Sequence, residues 1–225
     1  MSPAISDAPL AANSGLDSMV ELAASGRMEG LFATPIYCCV PRGLEALNVE
    51  LRDQILAQER EEPSMVKSNQ GGWQSTTDPF TWGGTAVQRL RQLAGRAVEV
   101  ATSRLPLPPG TKVEFYLSGW AAVNRKGHYN TTHVHPMAAW SGIYYVDPGD
   151  ESSETQGGVL ELVNPSMASV MTFFPGLLPS ARLVRPEPGM FILFPGYLQH
   201  SVRLYQGSRP RICVPFNAQV RAVHA

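Results

Sequence analysis

Apolar residues recur every three or four positions in two stretches of the chain. Over residues 43–58, Leu44, Leu47, Leu51, Ile55 and Leu56 fall on one side of a helical wheel. Over residues 85–104, Val87, Leu90, Leu93, Ala94, Ala97, Val98 and Ala101 do the same. Both stretches are therefore predicted helices with a single apolar face. After Pro106 the period changes to two. Val113, Phe115, Leu117, Ala121 and Val123 point one way, and Glu114, Tyr116, Ser118, Trp120 and Asn124 the other. That alternation predicts a strand over 112–124. Further strands are predicted over 132–135, 140–146, 158–163, 190–194, 200–204 and 211–219, and turn-forming runs such as DPGDESSETQGG and YQGSRP divide several of them. Residues 31–41, LFATPIYCCVP, read as a short strand whose proline suits a sheet edge. The loop over 67–84 carries Trp73 and Trp82, and is a candidate lid.

Two helices followed by seven or eight short strands predict an α+β protein, with an antiparallel sandwich or barrel backed by N-terminal helices. Residues 1–26 contain no aromatic side chain and are expected to form a flexible tail. Residues 27–225 are expected to form one domain, with helical support over 43–104 and the β core over 112–219. Gly 20 and Pro 19 together are about 17% of the chain, above the roughly 12% of average proteins, which suits short strands and tight turns.

Charge and cysteine usage exclude several classes. Eighteen Lys and Arg against nineteen Asp and Glu give a net charge of −1, which argues against a nucleic-acid or anionic-membrane partner. No run approaches the ~18 apolar residues that cross a bilayer. No basic residue precedes Arg27, so neither a secretory nor a transit peptide is indicated and a cytoplasmic protein is expected. Cys38, Cys39 and Cys213 have no CxxC spacing, and suit inert thiols in a reducing compartment. The apolar edge at 31–40 and the tail suggest a homodimer.

Three of the five histidines carry the candidate chemistry. His133 and His135 are two apart, so on a strand both rings leave one face and can converge on one metal ion. His200 lies 65 positions on from His135, after the apolar run MFILF. Imidazole ligands suit Fe(II), Zn, Cu and Ni alike, so ligand type does not choose the metal. Eleven positions later, Arg211 opens the strand RICVPFN, sharing a face with Cys213, Pro215 and Asn217. An arginine on an inward strand face costs several kcal/mol without an anionic partner, and its planar fork matches a carboxylate. Either the protein or a ligand supplies that carboxylate. Tyr144 and Tyr145 point to opposite faces, so one hydroxyl turns inward.

At these residues the sequence resembles the Fe(II)/2-oxoglutarate-dependent oxygenases of prolyl-hydroxylase-like type, in particular a branch of 2OG-Fe(II) oxygenases whose substrates are unassigned. LFATPIY, GGWQS, NRKGHYNTTHVHPMAAWSGIYYV, GGVLELVNP, PEPGMFILFPGYLQHSV and RPRICVPFN carry the resemblance over residues 31–219, most strongly from Asn124 onward. It implies a double-stranded β-helix (jelly roll), Fe(II) as cofactor, 2-oxoglutarate as co-substrate, and oxidation of a small-molecule or peptide substrate by O2, most often hydroxylation. It implies His133 and His200 as iron ligands, and Arg211 and Tyr145 on the far carboxylate of 2-oxoglutarate. Asn124 and Asn217 are candidates for further co-substrate contacts, and His128, Trp73 and Trp82 for substrate-facing or supporting positions. The family motif is His-x-Asp or His-x-Glu, whereas here the third position is His135. The site is then a three-histidine one, or Glu161 or Asp147 supplies the carboxylate. Two rival readings share the fold: a three-histidine cupin-type dioxygenase that does not use 2-oxoglutarate, and a non-catalytic ligand-binding jelly roll.

Overall fold

In the computed structural model, which describes residues 33–150, 155–173 and 175–224, three layers stack in the order helices, large sheet, small sheet. The expected tail over 1–26 lies outside the described residues. Chain order begins with strand β1 (Tyr37–Cys39) and helix α1 (Glu45–Glu61), then β2 (Asn69–Gln70) and β3 (Trp73–Gln74). Helix α2 (Thr85–Ser103) leads into β4 (Lys112–Gly119), β5 (Ala122–Asn124), β6 (Tyr129–His133), β7 (Trp140–Asp147) and β8 (Leu160–Val163). A short helix α3 (Met167–Thr172) precedes β9 (Ala181–Val184), β10 (Phe191–Pro195), β11 (His200–Val202) and β12 (Arg211–His224). All pairings are antiparallel. One sheet runs β1-β10-β7-β12-β5-β3, with β4 also on β12, and the other runs β2-β6-β11-β8-β9.

The apolar stripes behave as their spacing predicts. Leu47, Leu51 and Ile55 of α1 and Val87, Leu90, Ala94, Val98 and Ala101 of α2 are buried. They pack on one face of the seven-stranded sheet, against Tyr144, Val146, Phe191, Leu193, Val214 and Phe216. Truncating such a side chain, Leu51→Ala for example, costs about 2–5 kcal/mol. Neighbouring residues on the same strands, Ile143, Tyr145, Ile192, Phe194 and Cys213, face the other way. They meet Leu160, Leu162 and Val184 of the small sheet. A central strand covered on both faces has no polar side, which explains the continuous run MFILF. The two tyrosines divide between the layers: the Tyr144 hydroxyl donates to Asn48 Oδ1 on α1 at 2.5 Å, while Tyr145 turns between the sheets. Trp140 Nε1 ties β7 to the end of α2 through Thr102 Oγ1 at 3.0 Å.

Several expected boundaries move. The strand expected over 112–124 is interrupted at Trp120 and Ala121, opposite Pro215, which has no N–H to donate to a neighbouring strand. Trp120 N–H instead reaches Pro215 O at 3.0 Å, and Ala121 N–H reaches Ser75 Oγ at 3.0 Å. Face parity survives the break, since Phe115, Leu117, Ala121 and Val123 all pack on the helix side. The strand expected over 132–135 begins earlier and ends at His133, leaving His135 in the following turn. The last strand runs five residues beyond the expected end, because β4 pairs with it as far as His224↔Lys112. β1 does form an edge, on β10.

Candidate metal centre and co-substrate pocket

His133 closes β6 and His200 opens β11, and the two residues are direct partners across the small sheet. His135 is added from the turn after β6, where its N–H donates to Gly196 O at 2.8 Å. Gly196 is required at that contact: a Cβ there would lie 2.3 Å from Ala138 O and 2.7 Å from His135 O. One ring nitrogen from each histidine can be chosen so that all three lie within 4.8 Å of one another. Among the described residues no carboxylate joins this group.

Hydrogen bonding sets the tautomers. His133 Nδ1 lies 2.7 Å from Thr131 O, and His200 Nδ1 lies 2.8 Å from Leu198 O. A carbonyl only accepts, so each Nδ1 carries the proton and each Nε2 presents a lone pair to the centre. His135 Nε2 faces His200 Nε2 at 3.2 Å, and the His135 ring stacks on Trp120 with centroids 5.4 Å apart. Burial disfavours the charged imidazolium at all three positions. It lowers His133 below its ordinary value, and pushes His135 down to about 4 and His200 down to about 3. The set is therefore neutral and ligand-ready at neutral pH.

The two alternative carboxylates are engaged elsewhere. Glu161 accepts from Arg203 Nε at 3.0 Å and from its NH2 at 3.2 Å, which holds the carboxyl below its ordinary range. Asp147 accepts from Gly149 N–H at 2.9 Å and lies 3.7 Å from Arg209. Glu161 alternates outward between Leu160 and Leu162, so β8 turns it away from the cavity.

Between the sheets, His133, His135 and His200 share one cavity with Trp73, Trp120, Asn124, Ser141, Ile143, Leu160 and Arg211. Arg211 is 2% exposed. Its Nε donates to Gly158 O at 3.0 Å, NH1 lies 3.5 Å from Cys213 Sγ, and NH2 has no partner. Its Cζ sits 5.2 Å from the centre of the Tyr145 ring. The Tyr145 hydroxyl is also buried without a hydrogen-bond partner; burial raises it above the ordinary phenol value, and the nearby Arg211 charge opposes that rise. Gly158, at φ +63°, permits this packing, since a Cβ would lie 2.8 Å from the Tyr205 ring and 3.3 Å from Arg211 Cδ. Arg209, two residues before, is on the surface.

The other sequence candidates separate. Asn124 is buried on the cavity wall, and a chain of polar contacts runs from it through Asn130 and Ser68 to His133 Nε2, with steps of 3.4, 3.3 and 3.4 Å. Trp73 lines the cavity and is tethered by Nε1 to Glu62 O at 3.1 Å. Trp82 is not brought there. It bonds Thr77 Oγ1 at 2.8 Å and packs with the helix-side core, so its expected role as a lid does not fit. His128 is also off the cavity wall. Its Nδ1 accepts from Arg125 N–H at 3.0 Å, and its ring covers Gly71. Asn217 shares a strand face with Arg211, but six residues of extended chain separate them by about 20 Å. A single small diacid cannot touch both. Trp120, Ser68 and Asn130 were not singled out from the sequence. Trp120 carried a signal, its parity with Asn124, whereas Ser68 and Asn130 meet only because β2 pairs with β6.

The fold and the cavity define a double-stranded β-helix protein with three histidines between its sheets that could hold a metal ion. The family described as "Putative 2OG-Fe(II) oxygenase" matches residues 118–217, the span that carries His133, His135, His200 and Arg211. A prolyl-4-hydroxylase from Pseudomonas putida has the same fold at 14% identity and a TM-score of 0.62, over 92% of this chain and 100% of that one. A prolyl hydroxylase from Trichoplax adhaerens, in complex with a hypoxia inducible factor peptide, aligns at 13% identity and TM-score 0.58 over 82% and 83%. HygX from Streptomyces hygroscopicus, with nickel and 2-oxoglutarate bound, aligns at 11% identity and TM-score 0.56 over 91% and 86%. No curated protein matches the chain in sequence. Over residues 118–217 the chain is thus similar to the 2OG-Fe(II) oxygenases, and it shares its fold with prolyl hydroxylases. No described helix is long and apolar enough to cross a membrane.

Proposed function

We propose that His133, His135 and His200 hold Fe(II), that Arg211 and Tyr145 receive the far carboxylate of 2-oxoglutarate, and that the enzyme hydroxylates a small-molecule or peptide substrate. One observation carries this reading: a buried guanidinium with a free NH2 beside a buried phenol with a free hydroxyl. An arginine left so would be strongly destabilising unless an anion completes it. A carboxylate meets both vacancies, accepting from NH2 and from the tyrosine hydroxyl. A three-histidine dioxygenase without 2-oxoglutarate gives Arg211 no such task.

Fe(II) supplies the oxidising chemistry when bound, with succinate and CO2 as co-products. The chain's own residues bind, orient and exclude. Three neutral imidazoles leave the full divalent charge uncompensated, which favours a dianionic co-substrate and makes metal retention depend on it. Asn124 supports the co-substrate from β5. Ile143, Leu160 and Val202 line the cavity with apolar surface that excludes water. Trp120 holds the His135 ring from its outer side.

The same proposal places the protein in a reducing, cytoplasmic setting, in keeping with three free cysteines, and as a homodimer through the β1 edge. The decisive test of function is anaerobic titration of 2-oxoglutarate into the Fe(II)-loaded protein, followed by O2-dependent succinate formation. Absence of 2-oxoglutarate binding would overturn the reading.

A further inference from the structure

Along β12, the residues facing the small sheet are Arg211, Cys213, Pro215 and then Asn217. The first three line the cavity, and Asn217 is the next position outward, about 7 Å beyond Pro215. It is paired on one side with Ser141 of β7 and on the other with Ser118 of β4. Ser141 shares its face with Ile143 and Tyr145, and Ser118 shares its face with Trp120. The three therefore form one polar rung at the metal end of the cavity, opposite to the Arg211 end. Ser141 itself lines the cavity and is buried. Asn217 Oδ1 is buried and accepts no hydrogen bond. The next rung outward, Tyr116 opposite Gln219, is open, with Tyr116 56% exposed.

A buried amide oxygen without a donor is unfavourable, and such an atom calls for a specific reason. Ser118 and Ser141 flank it in register, yet neither donates to it. The rung carries no charge, and it lies between the triad and an exposed strip of sheet. We infer that Ser118, Asn217 and Ser141 anchor the primary substrate, and that the group they take is a neutral amide whose N–H donates to Asn217 Oδ1. This rests on the metal and co-substrate reading above, and reassigns Asn217 from co-substrate to substrate. Two outcomes in the cavity follow from geometry. The co-substrate enters toward Arg211, and the substrate lies across Trp120 with its amide on the rung, leaving the triad between them.

The test uses the full chain with Mn(II) in the triad, saturating 2-oxoglutarate and no O2. The probes are blocked amino acids, N-acetyl-X-N-methylamides covering all twenty side chains, each paired with the O-methyl ester that lacks the second N–H. Paramagnetic relaxation of probe protons reports approach to the metal. At least one amide is expected to be relaxed, its ester at least fivefold less. Asn217→Ala should reduce the amide signal at least fivefold and leave the 2-oxoglutarate dissociation constant within twofold. Because the wild-type oxygen is unpaired, Asn217→Ala should also melt no lower than wild type, whereas a purely structural asparagine would lose stability on truncation. Ser141→Ala serves as the second variant, with a smaller loss of amide relaxation. Equal relaxation in wild type and Asn217→Ala, or of amides and esters, would overturn the inference, as would a panel with no relaxed member. A large loss of 2-oxoglutarate affinity in Asn217→Ala would return that residue to the co-substrate. Wild type that binds no 2-oxoglutarate at all would instead defeat the functional reading.

Discussion

The Arg211 guanidinium carbon lies 5.2 Å from the centre of the Tyr145 ring, and each residue keeps one buried polar atom without a partner. Arg211 is set by β12 and Tyr145 by β7, whose register shifts next to this point, between Ile212 and Cys213. The bulge increases local twist, and the two side chains meet where it occurs.

Removing the arginine tests the anion-binding role. Truncating one partner of a buried charge pair costs about 2–5 kcal/mol, and each 1.4 kcal/mol is about tenfold. Arg211→Ala should weaken 2-oxoglutarate binding roughly 30-fold to several thousand-fold, with Arg211→Lys in between because lysine keeps the charge and loses the fork. Fe(II) affinity should change little, and Arg209→Ala should behave as wild type. Anaerobic titration of the four proteins measures this.

Removal of a ligand tests the triad. His133→Ala or His200→Ala should lower Fe(II) affinity by about 100-fold or more, exceeding the 10–100-fold typical of outer-shell partners, while the circular dichroism of the fold is kept. His135→Asp should retain iron, and bind it more tightly without 2-oxoglutarate, because it compensates one unit of metal charge. Full metal stoichiometry in His135→Ala would exclude that residue as a ligand.

Gly196 offers a test of positioning that replaces none of the three histidines. A methyl group there would press on Ala138 O and His135 O, so Gly196→Ala should shift the turn that carries His135. We expect metal affinity to fall by about 10–100-fold, the range of supporting partners, with the small-sheet pairing of His133 and His200 intact. Metal titration alongside amide exchange at β6 and β11 separates the two effects.

Acid should loosen the turn that leads into Arg211. Asp150 accepts from Ser208 Oγ, from Arg209 N–H at 2.9 Å and from Tyr205 OH at 3.1 Å. The Ser208 contact, then the Arg209 N–H, hold its carboxyl down at about 2. A depressed folded-state value means that the stabilisation is complete above the ordinary Asp value of about 3.9 and is lost as pH falls through about 2. The melting-temperature gap between wild type and Asp150→Asn should therefore close between those two values. A gap that stays constant from pH 5 to pH 2 would remove Asp150 from this role.

Much of the architecture was legible along the chain. The period of Leu47, Leu51 and Ile55, the longer stripe on α2, and the alternation around Phe115 and Val123 each follow from local geometry, because a helix or strand repeats its faces at a fixed interval. His133, His200 and Arg211 stood out for the same reason, since residues rarely left unsatisfied inside a sheet occur there at strand positions, and His135 stood out by its spacing from His133 although it lies in the turn that follows. Tertiary structure decided the rest. Parity alone left Tyr144 and Tyr145 open and the resemblance named Tyr145; the physical reason, that Tyr144 faces the helices and Tyr145 the small sheet, lies in the layer order. The interruption of the strand at Trp120 depends on Pro215, almost a hundred residues away. Glu161 and Asp147 could be set aside only once Arg203 and Arg209 stood next to them, and Trp82 and His128 left the site because Trp82 packs with the helix-side core and the His128 ring covers Gly71. Asn217 shares parity with Arg211, yet strand rise places it at the other end of the cavity. Periodicity states which way a side chain points, whereas pairing register and layer order state what it meets, and those depend on contacts between residues far apart in the chain.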